Sequence, residues 1–166
     1  MTVDLIEVQV PGPQGPPGSP GTPVYGQASR VTAGTISVAA QDVYQATGLA
    51  ATFDLTTAAG VALATVNTFG LRNVSGFTKI FRVYGTIDGK AGNNEVIGIK
   101  LAKNGAAISE TECRAFSGSS NQEAKLVTSW LIQLANLDEV SLFVANHSGS
   151  SQITFSRGRI LMSAVN

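Results

Sequence analysis

Residues 126–144, with the sequence LVTSWLIQLANLDEVSLFV, decide the fold that we predict for this chain. Residues 126–134 have helical propensity, but as a strand they would carry large apolar side chains on both faces, because successive side chains alternate. One face has Leu126, Trp130, Ile132 and Leu134, and the other has Val127 and Leu131. Residues 140–145 have the same character. Two strands with apolar side chains on both faces favour a sandwich in which one face of each strand fills the core and the other meets a neighbouring subunit.

Short β-rich runs separated by turn residues recur along the chain, and no segment shows a convincing apolar stripe of helical period and length. Turn pairs such as Asp88-Gly89 and Asn104-Gly105 lie between runs and favour hairpins. The predicted strands are residues 30–39, 42–46, 50–55, 61–66, 70–74, 78–87, 96–103, 107–116, 124–134, 140–146 and 152–164. An all-β sandwich or barrel of about ten strands is the expected fold.

A collagen-like repeat precedes these strands. Residues 12–23 read GPQGPPGSPGTP, four Gly-X-Y triplets with glycine at Gly12, Gly15, Gly18 and Gly21. Only glycine fits at the crowded axis of three polyproline-type strands, so the period predicts three chains and a stalk of about 35 Å. The alternative is a single-stranded, extended Pro/Gly-rich linker.

The segment ahead of the repeat is short and mostly β-forming. Residues 3–10 read VDLIEVQV, too few to fold alone, and we interpret them as a strand that adds to another protein's sheet. A frayed terminus is the alternative. The candidate docking residues are Val3, Leu5, Ile6, Val8 and Val10. The expected organisation is a docking strand at 1–11, a stalk at 12–23 and a head at 24–166.

Composition excludes several classes of function. Eleven basic residues balance eleven acidic ones without a run of either sign, which argues against a nucleic-acid partner. Cys113 is the single cysteine, so no intrachain disulfide framework is possible. No window reaches the roughly 18 apolar residues of a membrane span, so we expect no membrane insertion. Residues 1–7 contain acids where a secretion signal needs a basic start, and we expect no such signal.

Catalysis and metal binding find little support in the sequence. His147, the single histidine, lies in the polar stretch NHSGSS, and we expect it in an exposed loop with Asn93 and Ser119 in others. The stretch 88–95 lacks the oxygen spacing of a calcium loop, and one histidine excludes a histidine-rich metal site. We therefore predict a protein that is not an enzyme and uses no cofactor.

The last ninety residues resemble the trimeric jelly-roll head shared by tumour-necrosis-factor and complement-type globular domains. The resemblance lies in the strand 81–87, the strand and tight turn 99–105, the strand 108–116, the apolar strand 125–134, the leucine-acidic turn at 137–139 and the closing strand 153–162. It implies an antiparallel jelly roll that forms a homotrimer. Our candidates for the inter-subunit face are Tyr84, Leu131 and Phe143, with ordinary surface aromatics as the alternative.

A collagen-like run between an N-terminal anchor and a displayed β domain also resembles phage virion proteins. The resemblance implies a non-enzymatic decoration, cement or short head-fibre protein at the virion surface, assembled in the host cytoplasm. Its docking strand would bind the major capsid protein or another virion protein. The alternatives are a tail-fibre tip that binds host surface glycans through its loops, and a secreted complement-like ligand.

Overall fold

The computed structural model describes residues 23–54, 60–66, 69–119 and 122–165. The predicted docking strand and nearly all of the predicted stalk lie outside these residues. Within them the chain is all-β, with one short 3-10 turn at Ser109–Thr111. None of the described residues belongs to a helix long and apolar enough to cross a membrane.

Thirteen strands form in the described part of the chain. Five are long: β7, β8, β11, β12 and β13. In chain order the strands are β1 Tyr25–Arg30, β2 Gly34–Ile36, β3 Gln45–Ala46, β4 Thr52–Phe53, β5 Val61–Leu63, β6 Gly70–Asn73, β7 Lys79–Lys90, β8 Glu95–Lys103, β9 Ala106–Ala107, β10 Cys113–Ser117, β11 Ala124–Leu134, β12 Glu139–Asn146 and β13 Ile153–Ala164.

The strands form two facing antiparallel sheets. Sheet 1 has the order β11-β7-β13-β1-β4, with β2 also paired to β13. Sheet 2 has the order β10-β8-β12-β6-β5, with β3 paired to β12 and β9 to β8. The chain changes sheet between β7 and β8, between β10 and β11, and at both later connections. This is a jelly-roll sandwich, as the sequence predicts.

The core lies between the sheets, and its origin in side-chain alternation is clearest in β7. In β7, Phe81, Val83 and Ile87 point inward and are almost fully buried. Phe155 of β13 meets Phe69 edge to face, with ring centres 5.6 Å apart. Each fully buried side chain of this size contributes about 1.5–3 kcal/mol of transfer free energy, so the core accounts for most of the driving force for folding.

Strand boundaries agree with the sequence prediction best where apolar runs are long. β11 coincides with the predicted 124–134, and Asn104-Gly105 forms the predicted turn with φ of 49° and 83°. The predicted turn at Asp88-Gly89 is wrong, because both residues lie inside β7. The predicted strand 107–116 is also wrong, since β9, the 3-10 turn and β10 divide it.

The sandwich has two distinct ends. Tyr25 at the start of β1 pairs with Ser163, and Ala164 pairs with Phe81 near the start of β7. We call this end the base; it also carries the loops 74–78 and 135–138. The connections after β7, β10 and β12 lie at the other end, which we call the distal end. Residue 24 therefore lies at the end of the head opposite the distal loops.

Candidate interaction surfaces

The outer face of sheet 1 carries exposed apolar side chains at its β11–β7 edge. Because Phe81 and Val83 point inward, the residues between and after them point away from the core. Tyr84 pairs with Ser129 across the strands and is 40% exposed. Leu131 pairs with Arg82 and is 53% exposed. The structure thus brings two predicted interface residues, Tyr84 and Leu131, onto one face.

These side chains surround a shallow depression of about 560 Å³, lined by Arg82, Tyr84, Ser129, Trp130 and Leu131. Trp130 has the inward phase of β11 but is 42% exposed, unlike Ile132 and Leu134 of the same phase, which are buried. Aromatic residues and arginine are enriched at the centres of protein interfaces. The depression therefore has the chemistry of a protein-binding surface.

Phe143 lies elsewhere. It belongs to β12 in the middle of sheet 2, where it pairs with Lys100 of β8 and Ala46 of β3. Its side chain points away from the core, yet it is only 8% exposed within the single chain. The three predicted interface residues therefore do not share one face, and Phe143 offers little surface to a neighbour.

The distal end carries the loop residues singled out in the sequence, with one correction. Asn93 and Ser119 are exposed in the connections after β7 and β10. The expectation of an exposed His147 is wrong, because its side chain is only 5% exposed. The polypeptide near residue 42 covers it: Asp42 donates its backbone N–H to the carbonyl of Asn146, and Gln41 Nε2 donates to the carbonyl of His147.

His147 belongs to a network of polar side chains on sheet 2. Its Nδ1 lies 2.5 Å from Asp42 Oδ1, and its Nε2 lies 3.1 Å from the hydroxyl of Tyr44. Tyr44 donates that hydroxyl to Glu112 Oε1 at 2.9 Å. Lys100 Nζ lies 3.2 Å from Glu112 Oε2 and 4.1 Å from the centre of the Tyr44 ring. We call these five residues the Tyr44 cluster.

The electrostatics of the Tyr44 cluster suit a structural role. Burial, together with the hydrogen bond to Glu112 and its charge, raises the pKa of the Tyr44 hydroxyl well above its ordinary value of 10.0. Burial also acts to raise the pKa of Glu112, but hydrogen bonds from Arg114, Tyr44 and Lys100 outweigh it and lower that pKa to about 2. A protonated tyrosine and an ionised, paired glutamate make a poor nucleophile and a poor base. The cluster fastens residues 41–44 to sheet 2.

Gly98 makes room for the Tyr44 cluster. A Cβ at this position would lie 2.4 Å from the Tyr44 hydroxyl and 2.6 Å from His147 Nε2. The polar groups thus occupy the space that a side chain on β8 would fill. Sequence reasoning missed this cluster because Tyr44 and Glu112 are 68 positions apart, and neither lies in a recognisable motif.

Metal binding has no support in the described part of the chain, where no three His, Cys, Asp or Glu residues are grouped to hold an ion. The acidic residues of the leucine-acidic turn, Asp138 and Glu139, bind other residues of the head. Asp138 pairs with Lys103 at 3.0 Å, while Glu139 accepts backbone and side-chain hydrogen bonds from Thr65. Their carboxylates are already occupied by partners in the chain.

Comparison with known proteins shows the fold but no family. No family model and no curated protein matches the sequence. Among solved structures, the chain is similar to the tumour necrosis factor Eiger of S. frugiperda, with a TM-score of 0.60, 12% identity and coverage of 87% of this chain and 93% of that one. It is similar to the vertex protein of phage PRD1, with a TM-score of 0.51, 15% identity and coverage of 86% and 96%. The globular domain of zebrafish complement 1qA gives a TM-score of 0.52, 10% identity and coverage of 86% and 96%. At these identities the likeness is one of fold, a jelly roll of the tumour-necrosis-factor and complement type.

Proposed function

We propose that this chain is a non-enzymatic structural protein of a phage virion surface, a homotrimer anchored by its N-terminus that displays the jelly-roll head. The observation that carries the proposal is the Gly-X-Y run at 12–23 immediately before a head of this fold. A strict Gly-X-Y run favours three chains, because only glycine fits at the axis of a triple helix. The fold likeness to a phage vertex protein supports a place on a virion.

The exposed apolar face of sheet 1 supports self-association. Tyr84, Trp130 and Leu131 surround one depression, and large contiguous apolar patches on soluble proteins mark interaction sites. If the repeat forms a three-chain stalk, a closed threefold arrangement of the heads is favoured over a twofold one. Burying Leu131 and its neighbours three times over would then hold the heads together.

The trimer can be tested by charge substitution. Leu131→Glu places a carboxylate in the proposed interface and is expected to convert a trimer into monomers, measured by light scattering during gel filtration. Phe116→Glu is the matched control, because Phe116 is exposed on the outer face of sheet 2. Wild-type protein that is monomeric at micromolar concentration, or a Leu131→Glu variant that remains a trimer, would contradict the proposed interface.

Attachment to the particle can be tested separately. A variant without residues 1–10 is expected to remain a trimer but to be lost from purified virions, measured by quantitative mass spectrometry of the particles. A truncated protein that still decorates particles at wild-type occupancy would exclude the docking strand. Antibody labelling of intact particles would show whether the protein lies on the head or the tail.

A second candidate function is recognition of host surface glycans. Asn93 and Ser119 are exposed at the distal end, the part of the head that faces away from the proposed anchor. A glycan array probed with the wild-type protein tests this function. Binding that is lost when these two residues are replaced by alanine would favour a receptor-binding tip over a decoration protein.

A further inference from the structure

The base of the head exposes a group of large apolar side chains around the point where β1 begins. Phe77 is 70% exposed and Leu137 is 58% exposed, and Ile80 and Val165 are each about half exposed. We call these four residues the base patch. Large apolar side chains are also exposed on the outer face of sheet 1, but these four lie on the loops and strand ends at one end of the sandwich, and such a group of exposed apolar side chains marks a candidate contact surface.

The loops that carry the base patch are joined by hydrogen bonds of Asn73, which is fully buried. Its Nδ2 donates to the carbonyls of Phe77, Leu134 and Ala135 at 2.8, 3.1 and 3.0 Å, and its Oδ1 accepts the backbone N–H of Ser75. Leu137 donates its backbone N–H to the carbonyl of Asn73 at 2.7 Å. One buried amide therefore joins the loops 74–78 and 135–138 into a single platform.

Leu137 is the most informative member of the base patch. Its φ of 72° lies in the left-handed region, where a leucine costs roughly 1–2 kcal/mol relative to glycine. Its side chain is mostly exposed, so burial in the head does not offset this cost. A strained, exposed leucine is explained if the side chain contacts something beyond the head.

The preceding chain begins directly beside this platform. The carbonyl of Val24 accepts a hydrogen bond from Ala164, and Val165 donates to the carbonyl of Ile80. A Cβ on Gly60 would touch both Val24 Cγ1 at 3.1 Å and Ser75 Cβ at 3.0 Å, which places Val24 next to the 74–78 loop. Val24, which follows the Gly-X-Y segment in the sequence, thus lies at the edge of the base patch.

We infer that the base patch binds the Gly-X-Y segment, residues 12–22, through its prolines. At about 3.1 Å per residue, Pro20 is at most about 12 Å along the chain from Val24, so this proline can contact the base patch while the rest of the segment extends away as the proposed stalk. Proline-rich segments of polyproline type dock on exposed aromatic surfaces with little loss of entropy. The contact fixes the head on its stalk and sets the register of three strands that are too short to hold it themselves.

The inference rests on the proposed stalk, and a cross-linking experiment tests it in the full-length purified protein. The photoreactive residue p-benzoylphenylalanine replaces Phe77; after irradiation, tryptic peptides are sequenced by mass spectrometry. Arg30 is the first basic residue, so the stalk remains in one peptide, 1–30, and fragmentation separates 12–22 from 24–30. The expected result is a cross-link to residues 12–22 of the same or a neighbouring chain.

The control places the same photoreactive residue at Phe116, which is exposed far from the base. It should give no stalk cross-links. Cross-links from position 77 that fall only on head residues, or that match those from position 116, would overturn the inference. The cross-linking experiment uses purified protein and requires no virion. If the protein proves not to lie on virions, the cross-linking result still stands.

Protease sensitivity gives a second measurement. Phe77→Ser and Leu137→Asn should each speed cleavage of the Gly-X-Y segment by bacterial collagenase several-fold, while Phe116→Ser should not. Asparagine tolerates the left-handed conformation, so Leu137→Asn is expected to leave the head folded. Unchanged cleavage in both base variants, with the head folded by circular dichroism, would overturn the inference.

Discussion

Substitution of Gly98 by alanine tests whether the Tyr44 cluster fastens residues 41–44 to sheet 2. The added Cβ would lie 2.4 Å from the Tyr44 hydroxyl, which must move because the β8 backbone is held between β10 and β12. That movement breaks the 2.9 Å hydrogen bond to Glu112 and the 3.1 Å contact with His147. A hydrogen bond to a charged group contributes about 1.5–3 kcal/mol and a neutral one about 0.5–1.5 kcal/mol. With Tyr44 only partly buried, we expect Gly98→Ala to lower the free energy of unfolding by about 2–4 kcal/mol.

The assay is urea unfolding followed by circular dichroism at one fixed protomer concentration, since association alters apparent stability. Tyr44→Phe removes the hydroxyl and keeps the ring over Lys100, so it completes a double-mutant cycle. The two substitutions should cost less together than the sum of their separate costs, because both remove the same hydrogen bonds. A Gly98→Ala cost below about 0.5 kcal/mol, or strictly additive costs, would refute the reasoning.

Three further predictions concern acid stability, the core and the base. The pKa of Glu112 is about 2 in the folded chain against an ordinary 4.5, so its stabilising effect is complete above pH 4.5 and is lost as the pH falls through about 2. Glu112→Gln should therefore flatten the fall in urea midpoint between pH 5 and pH 2.5; parallel falls would contradict this. Leu126→Ala, at a fully buried position, should cost about 2–5 kcal/mol in urea unfolding, whereas Val127→Ala on the exposed face should cost under about 1 kcal/mol. Asn73→Ala should speed hydrogen exchange at the amides of Ser75 and Leu137 more than at those of β8, and equal protection would argue against a platform organised by Asn73.

The parts of the fold that depend on local pattern could be predicted from the sequence. The apolar alternation of residues 124–134 predicts the bounds of β11, and the Asn104-Gly105 pair predicts the turn between β8 and β9. Both signals act within a few residues of the chain. The prediction fails where tertiary contacts override local signals. Asp88-Gly89 is a strong turn pair, yet β11 and β13 pair with β7 on both sides and keep it extended.

The candidate surface residues could likewise be predicted where local pattern decides their position, and not where contacts between distant residues decide it. Tyr84 and Leu131 could be assigned to one face by alternation, but Phe143 could not be placed in the other sheet without knowing the strand order. His147 was expected in an exposed loop because its neighbours are polar. Its burial depends on Asp42 and Tyr44, more than a hundred positions away in sequence, and no local pattern encodes that contact.

Residue 24 and the distal loops lie at opposite ends of the sandwich. This arrangement decides where a peptide fused to or inserted into the head would be displayed. A peptide fused after residue 165 would emerge beside Ile80 at the base, next to residue 24. A peptide inserted beside the exposed Ser119 would emerge at the distal end, between two strands of different sheets. The connection between β10 and β11 is therefore the position for displaying an epitope, in three copies if the proposed trimer holds.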